Sequence, residues 1–243
     1  MPDPEAASRA GGVSRPRHNT ALAEGGLKRV LDVTFALTGL VIGLPVMAAM
    51  ALAVRLGSPG PVLFRQVRVG LGGRDFVLLK FRTMKARAGV EAGSFDAGDT
   101  SRVTGVGRFL RGWKLDELPQ LWNVVRGDMS LVGPRPEVRR WVDAFPERWA
   151  VVHAMRPGIT DLASIAYRDE EQLLAAAADP ETLYREVILP RKLDLYERYV
   201  RTRSFPGDLK ILWRTAWAIV AGAPVSTGRA PVGPTESPEG TRV

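Results

Sequence analysis

The chain has 243 residues, 45% of them hydrophobic, which suits one substantial domain or a compact domain with appendages. Its formal charge of +8 suits an anionic partner: nucleic acid, an acidic membrane surface or a phosphorylated substrate. Without cysteine, and with only His18 and His153, the chain excludes disulfides, thiolate zinc sites and cysteine nucleophiles and poorly supplies a Ser/His/Asp triad, so chemistry must rest on carboxylates, Arg and Lys. A hard cation such as Mg²⁺ stays compatible, because one or two carboxylates hold it when phosphates and waters complete its shell.

Residues 1–26 are rich in Ala, Gly, Arg and Pro without apolar periodicity and read as a flexible tail, as do the proline-rich residues 222–243. From Val33 to Val54 no charge interrupts about 22 residues, long enough for a membrane helix. The run is too long and begins too late for a cleaved signal peptide. Basic residues lie on both sides, Lys28 and Arg29 before it and Arg55 and Arg65 after it, so a straight crossing frustrates the positive-inside rule. Pro45 falls near its middle and removes a helical N–H bond. A bent, re-entrant segment over 27–56, entering and leaving on one face, satisfies both observations.

Beyond Gly57-Ser58-Pro59-Gly60-Pro61, two short strands around Val62-Leu63-Phe64 and Phe76-Val77-Leu78-Leu79 flank a turn at Gly70-Leu71-Gly72-Gly73. Residues Ala86 to Asp99 read as a mobile loop, and helical periodicity dominates from about Val106. The expected fold is α+β, mainly helical with a small β-hairpin. Near the end, Leu209, Leu212, Trp213, Ala216, Trp217 and Val220 recur at helical spacing opposite Lys210 and Arg214. That pattern predicts an amphipathic helix at the membrane interface, with packing on a core as the competing reading.

Asp116 and Glu117 precede Pro119 and an apolar run. In isolation such a pair reads as a helix cap and a dipole partner. Arg108, Arg111 and Lys114 before it, and Arg135 between Pro134 and Pro136 after it, can instead organise a phosphate site. An ionised Asp can attack phosphorus when cations offset its charge and that of a diphosphate. Lys80 and Arg82, in Lys80-Phe81-Arg82-Thr83-Met84, could bring further basic groups to the same site, against the alternative of a solvated strand edge. The run Arg168-Asp169-Glu170-Glu171 reads as a helix start without chemistry.

Taken together, Lys28-Arg29-Val-Leu-Asp32, Lys80-Phe81-Arg82-Thr83-Met84, Arg111 with Leu115-Asp116-Glu117-Leu118-Pro119-Gln120, Val132-Gly133-Pro134-Arg135-Pro136 and Arg156-Pro157-Gly158-Ile159-Thr160 closely resemble the bacterial sugar transferase family from about Lys28 to Val220. The resemblance implies a monotopic phosphoglycosyl transferase at the cytoplasmic face of the bacterial inner membrane, with a catalytic domain over 57–221. Its partners would be a UDP-sugar and a polyprenyl phosphate, usually undecaprenyl phosphate, with no nucleic acid; a homodimer is left open. By the family pattern Asp116 is the nucleophile that expels UMP and forms a covalent phosphosugar enzyme, and Glu117 binds Mg²⁺. Arg111 and Arg135 contact phosphates or nucleotide, Lys80 and Arg82 join them, and Asp208 matches a carboxylate near the start of the last helix. The family's re-entrant break falls at Pro45, and the large N-terminal multispan region of some relatives has no counterpart here.

One departure concerns the sugar. Many members continue Gly-Trp-Ala-Gln-Val-Asn-Gly-Arg where this chain reads Asp161-Leu-Ala-Ser-Ile-Ala-Tyr167-Arg168, so the sugar cannot be carried across. A membrane-anchored binding or scaffold protein of a glycan assembly complex is the competing reading, opposed by the intact Asp116, Glu117, Arg111 and Arg135. A nucleic-acid module leaves the apolar segment unexplained.

Overall fold

The computed structural model describes residues 26–85 and 101–221, so the expected terminal tails and the loop expected from Ala86 to Asp99 lie outside the described residues, apart from Gly26. Helix α1 (Gly26–Gly57) takes up the apolar segment and continues through Pro45 without interruption of its secondary structure. At 32 residues it extends about 48 Å, against roughly 30 Å of bilayer hydrocarbon. It is long and apolar enough to cross a membrane by length and composition. Val41, Ile42, Leu44, Pro45 and Val46 are all exposed, leaving bare apolar side chains in mid-helix.

Both ends of α1 are tied to the rest of the protein. At its start, Lys28 Nζ donates to Asp208 Oδ2 at 2.8 Å and to the Val132 carbonyl at 3.3 Å. Arg29 donates to the carbonyls of Val125 and Met129, and Asp32 accepts from the Ser130 hydroxyl at 2.7 Å. Ala36 is buried with Leu78, Val124 and Met129. Near its end, Met50 and Val54 are buried with Phe81 and Leu110, and Arg82 Nη2 donates to the Val54 carbonyl at 3.1 Å. The basic residues that frustrate a crossing are therefore partly spent on internal hydrogen bonds.

Strands β1 (Leu63–Val69) and β2 (Asp75–Phe81) form the expected antiparallel hairpin, in register Phe64↔Lys80 and Val67↔Val77. The five-residue connection, 70–74, is tighter than a bare loop: Leu71–Gly73 is a 3₁₀ turn, with Gly72 and Gly73 at positive φ where other residues are strained. Helix α2 (Gly105–Gly112) starts at Thr104, whose hydroxyl accepts the Gly107 N–H. A short 3₁₀ turn at Leu115–Glu117 leads to α3 (Gln120–Arg126).

A second sheet escaped the sequence pattern. Strands β3 (Ser130–Val132) and β4 (Gly158–Thr160) pair in parallel, each too short to display alternation. Gly133 and Gly158 permit their close approach: a Cβ on Gly158 would fall 2.1 Å from the Gly133 nitrogen, and one on Gly133 2.6 Å from the Arg156 carbonyl oxygen. The glycines of both motifs are thus a packing requirement that seats Arg135 directly after β3.

Around this frame stand α4 (Arg139–Ala144), α5 (Pro146–Val152), α6 (Leu162–Ala166), α7 (Glu170–Ala175), α8 (Pro180–Leu183), a π-helical turn at Tyr184–Ile188, α9 (Leu189–Thr202) and α10 (Phe205–Ala221). The largest core joins Trp141, Trp149, Val152, Tyr184, Leu189, Leu193 and Tyr196. Helix α10 packs inward through Ile211 and Ala218 but leaves Phe205, Leu209, Trp213, Trp217 and Val220 exposed, a stripe at i, i+3 and i+4 spacing with Trp213 71% accessible. The expected amphipathic face therefore exists, rotated so that Leu212 is half-buried with Ile211 and Phe205 joins the outer stripe.

Candidate active site

Strand β2 and the loop after β3 converge on Glu117. The 3₁₀ turn places it directly after Asp116, and the turn is set up by Lys114 at φ 56°, the one non-glycine residue with positive φ among the described residues. Such a conformation costs roughly 1 kcal/mol or more and persists where surroundings impose it, commonly at functional sites. Asp116 caps nothing: the residue before α3 is Pro119, without a side-chain cap, so the capping interpretation of the pair falls away.

Glu117 Oε1 accepts from Lys80 Nζ at 3.0 Å and from Arg135 Nη2 at 2.6 Å, while Oε2 has a longer contact of 3.4 Å with Arg135 Nη1. Lys80 comes from β2 and Arg135 from the loop after β3. Asn123 of α3 fixes β2 from the side, donating to the Val77 carbonyl at 2.7 Å and accepting the Leu79 N–H at 3.1 Å, so Lys80 sits on a braced strand.

Electrostatics separate the two acids. Burial opposes ionisation of Glu117, but Arg135 and Lys80 overcome it and hold its carboxyl well below the ordinary carboxylate range. Asp116, by contrast, is pushed up: its burial outweighs the pull of Lys80, Lys114 and Arg111, and the charge of Glu117 adds to the rise. Its Oδ1 is buried without a hydrogen-bond partner among the described residues. Burial also depresses Lys80, to about 8, against the pull of Glu117. The Arg135 guanidinium is held even more firmly in its charged form by Glu117. One carboxylate is thus neutralised and fixed, and the other is left underbonded, the state that suits a nucleophile.

Arg111, five residues before Asp116, donates from Nε to Thr83 Oγ1 at 2.9 Å and pairs through Nη1 with Glu171. Arg82 and Asp208 are placed elsewhere. Arg82 binds Ser58 and the Val54 carbonyl, joining β2 to the end of α1. Asp208 holds Lys28 and accepts from Tyr199 Oη at 2.6 Å, and both donors also reach the Val132 carbonyl, immediately before the Arg135 loop. Among the described residues, then, Lys80, Glu117 and Arg135 share hydrogen bonds, with Asp116 beside them and Arg111 one helix away. Thr83, Asn123 and Glu171 belong to the surroundings that sequence reading missed. Thr83 lay within a quoted motif, and Glu171 was read only as a helix start.

Among the described residues no group of three or more His, Cys, Asp or Glu side chains gathers to hold a metal ion. Mg²⁺ would therefore rest on Glu117 Oε2, which keeps capacity beyond its long contact with Arg135, with substrate phosphates and waters completing its shell.

The description of bacterial sugar transferases matches residues 23–222. A UDP-glucose:undecaprenyl-phosphate glucose-1-phosphate transferase of Caulobacter vibrioides is 44% identical over 192 residues, covering 77% of this chain and 67% of that protein. A UDP-N-acetylgalactosamine-undecaprenyl-phosphate N-acetylgalactosaminephosphotransferase of Aeromonas hydrophila is 38% identical, over 81% of this chain and 44% of its own length. For the UDP-glucose:undecaprenyl-phosphate glucose-1-phosphate transferase of Escherichia coli the figures are 36%, 79% and 39%, so the chain spans less than half of these two relatives. The chain belongs to the bacterial sugar transferase family.

Proposed function

We propose that the protein moves a sugar 1-phosphate from a UDP-sugar to a polyprenyl phosphate, undecaprenyl phosphate in bacteria, through a covalent aspartyl intermediate. The observation that carries this reading is the contrast between Asp116, buried with an unpartnered oxygen, and Glu117, neutralised by Arg135 and Lys80. The related proteins named above carry out sugar-phosphate transfer to undecaprenyl phosphate by name, which supports the substrate classes.

In the first half-reaction an Asp116 carboxylate oxygen bonds to the sugar-bearing phosphorus, and the bond from that phosphorus to the bridging oxygen breaks. UMP leaves with the electron pair. In the second, an oxygen of the polyprenyl phosphate bonds to the same phosphorus, the aspartyl bond breaks, and the free carboxylate returns. Arg135 and Arg111 neutralise phosphate charge, and Lys80 keeps Glu117 and Asp116 in a cationic surrounding. Glu117 through Oε2, with the diphosphate, would hold Mg²⁺, which supplies further charge neutralisation when bound.

Incubating the purified chain with a panel of UDP-sugars and a short polyprenyl phosphate should release UMP and label the lipid. No release with any common UDP-sugar would favour the scaffold reading instead. The rate should fall on the acid side at a pH above the ordinary Asp range, because only ionised Asp116 attacks and its pKa is raised. It should also fall as pH rises through about 8, where Lys80 loses its proton. Lys80→Arg, which keeps its charge, should remove that alkaline limb; an unchanged limb would exonerate Lys80.

The topology reading rests on the docking of both α1 ends to one domain. Asp32 and Val54 lie about 33 Å apart along a straight helix, yet both are buried against the catalytic body, while the apolar middle is bare. This arrangement favours a re-entrant helix dipping into the cytoplasmic leaflet of the inner membrane, with the exposed stripe of α10 in the interface. Tags on both termini should then react only from the cytoplasm, whereas periplasmic labelling of the N-terminal tag would establish a crossing.

A further inference from the structure

Helix α7 carries two adjacent glutamates with different partners. Glu170 pairs with Lys192 Nζ at 2.9 Å, and that lysine is almost wholly buried, while Leu174 is buried one turn on. These two contacts anchor α7 to α9 and the core. Glu171, about 100° further round the helix, reaches the other way, to Arg111. Its side chain is 44% accessible and the arginine's 27%. The pair is therefore open to solvent, and the helix has its own anchors without it.

An ion pair of this kind is weak in water and exchanges readily for a better anion. A diphosphate offers a guanidinium more charge and bidentate oxygens, so it displaces a single carboxylate. The arginine in question is bonded through Nε to Thr83, and it lies five residues ahead of Asp116 and near enough for its charge to act on that carboxyl.

Resting on the transferase reading above, we propose that Glu171 is a displaceable counter-ion. It holds Arg111 while the site is empty, yields it to the substrate diphosphate, and reclaims it to hasten departure of the released nucleoside monophosphate. Glu171 is a positioning residue, acting through Arg111. Removing its charge should make the nucleotide bind more tightly and leave more slowly, the reverse of what loss of a structural contact produces.

The test is calorimetric titration of UMP into the full-length chain in detergent. Glu171→Gln should tighten UMP binding on the order of fivefold, with an unchanged melting temperature because Glu170 and Leu174 keep α7 in place. In an Arg111→Ala background the same change should have no effect on UMP affinity. Unchanged or weakened UMP binding by Glu171→Gln would overturn the counter-ion role alone. Absence of UMP binding by the unaltered chain would overturn the nucleotide reading, and the counter-ion role with it.

Discussion

Asp116→Asn should abolish turnover, by at least ~10⁴-fold in kcat, while making the protein no less stable. The amide is nearly isosteric but cannot attack phosphorus. The stability half of the expectation follows from the raised pKa. A carboxyl whose folded-state pKa lies above its unfolded value destabilises the fold when ionised, and the penalty is complete above the folded pKa. A neutral side chain lifts that penalty, so thermal unfolding at neutral pH should occur at the same temperature or higher. Loss of activity with retained stability separates a nucleophile from a structural acid, whose removal would cost both. A variant that kept even a hundredth of the activity would exclude Asp116 as the nucleophile.

Arg135→Ala should fail in the opposite way, losing both activity and stability. Glu117 is nearly buried and its closest donor is Arg135 at 2.6 Å. Breaking a fully buried pair costs ~3–5 kcal/mol. Here Lys80 remains as a partner and the arginine side chain keeps 28% of its exposure, so ~2–3 kcal/mol is expected. The sign with pH is fixed: because the pair depresses the Glu117 pKa, its contribution is present above about 4.5 and is lost as pH falls through the folded value. The difference in unfolding free energy between the two proteins should therefore shrink in acid. Activity should drop by ~10²–10³-fold from the missing phosphate contact. A variant as stable as the parent at pH 7 would refute the ion-pair account of Arg135.

Local chemistry made several features legible. The glycines at 70, 72 and 73 announced the hairpin and the uncharged run from Val33 to Val54 announced α1, while the cations around Asp116 and Glu117 prefigured the ion pair of Arg135 with Glu117. What stayed hidden depends on contacts between distant residues. Lys28 and Asp208 are 180 residues apart, so neither the helix-start basic motif nor the late carboxylate reveals that they clasp each other across Val132. Asp208 accordingly read only as a matching carboxylate near the start of the last helix, while in the fold it accepts from Lys28 and Tyr199. Strands β3 and β4 have three residues each, too few for an alternating pattern, and only the clash geometry at Gly133 and Gly158 explains those motifs. Glu171 resembled an ordinary acidic first turn because the Arg111 it faces lies 60 residues earlier.

The difference between the two acids was likewise invisible to spacing. Adjacent carboxylates carry the same composition signal, and only the burial of Asp116 Oδ1 and the two donors on Glu117 distinguish an underbonded group from a fixed one. That distinction is the centre of the account, and a covalent adduct tests it most directly. The intact chain, mixed with its UDP-sugar and no polyprenyl phosphate, should gain the mass of one sugar phosphate. The adduct should map to Asp116 and discharge when polyprenyl phosphate is added. UMP release without any adduct, or an unchanged adduct in Asp116→Asn, would contradict it.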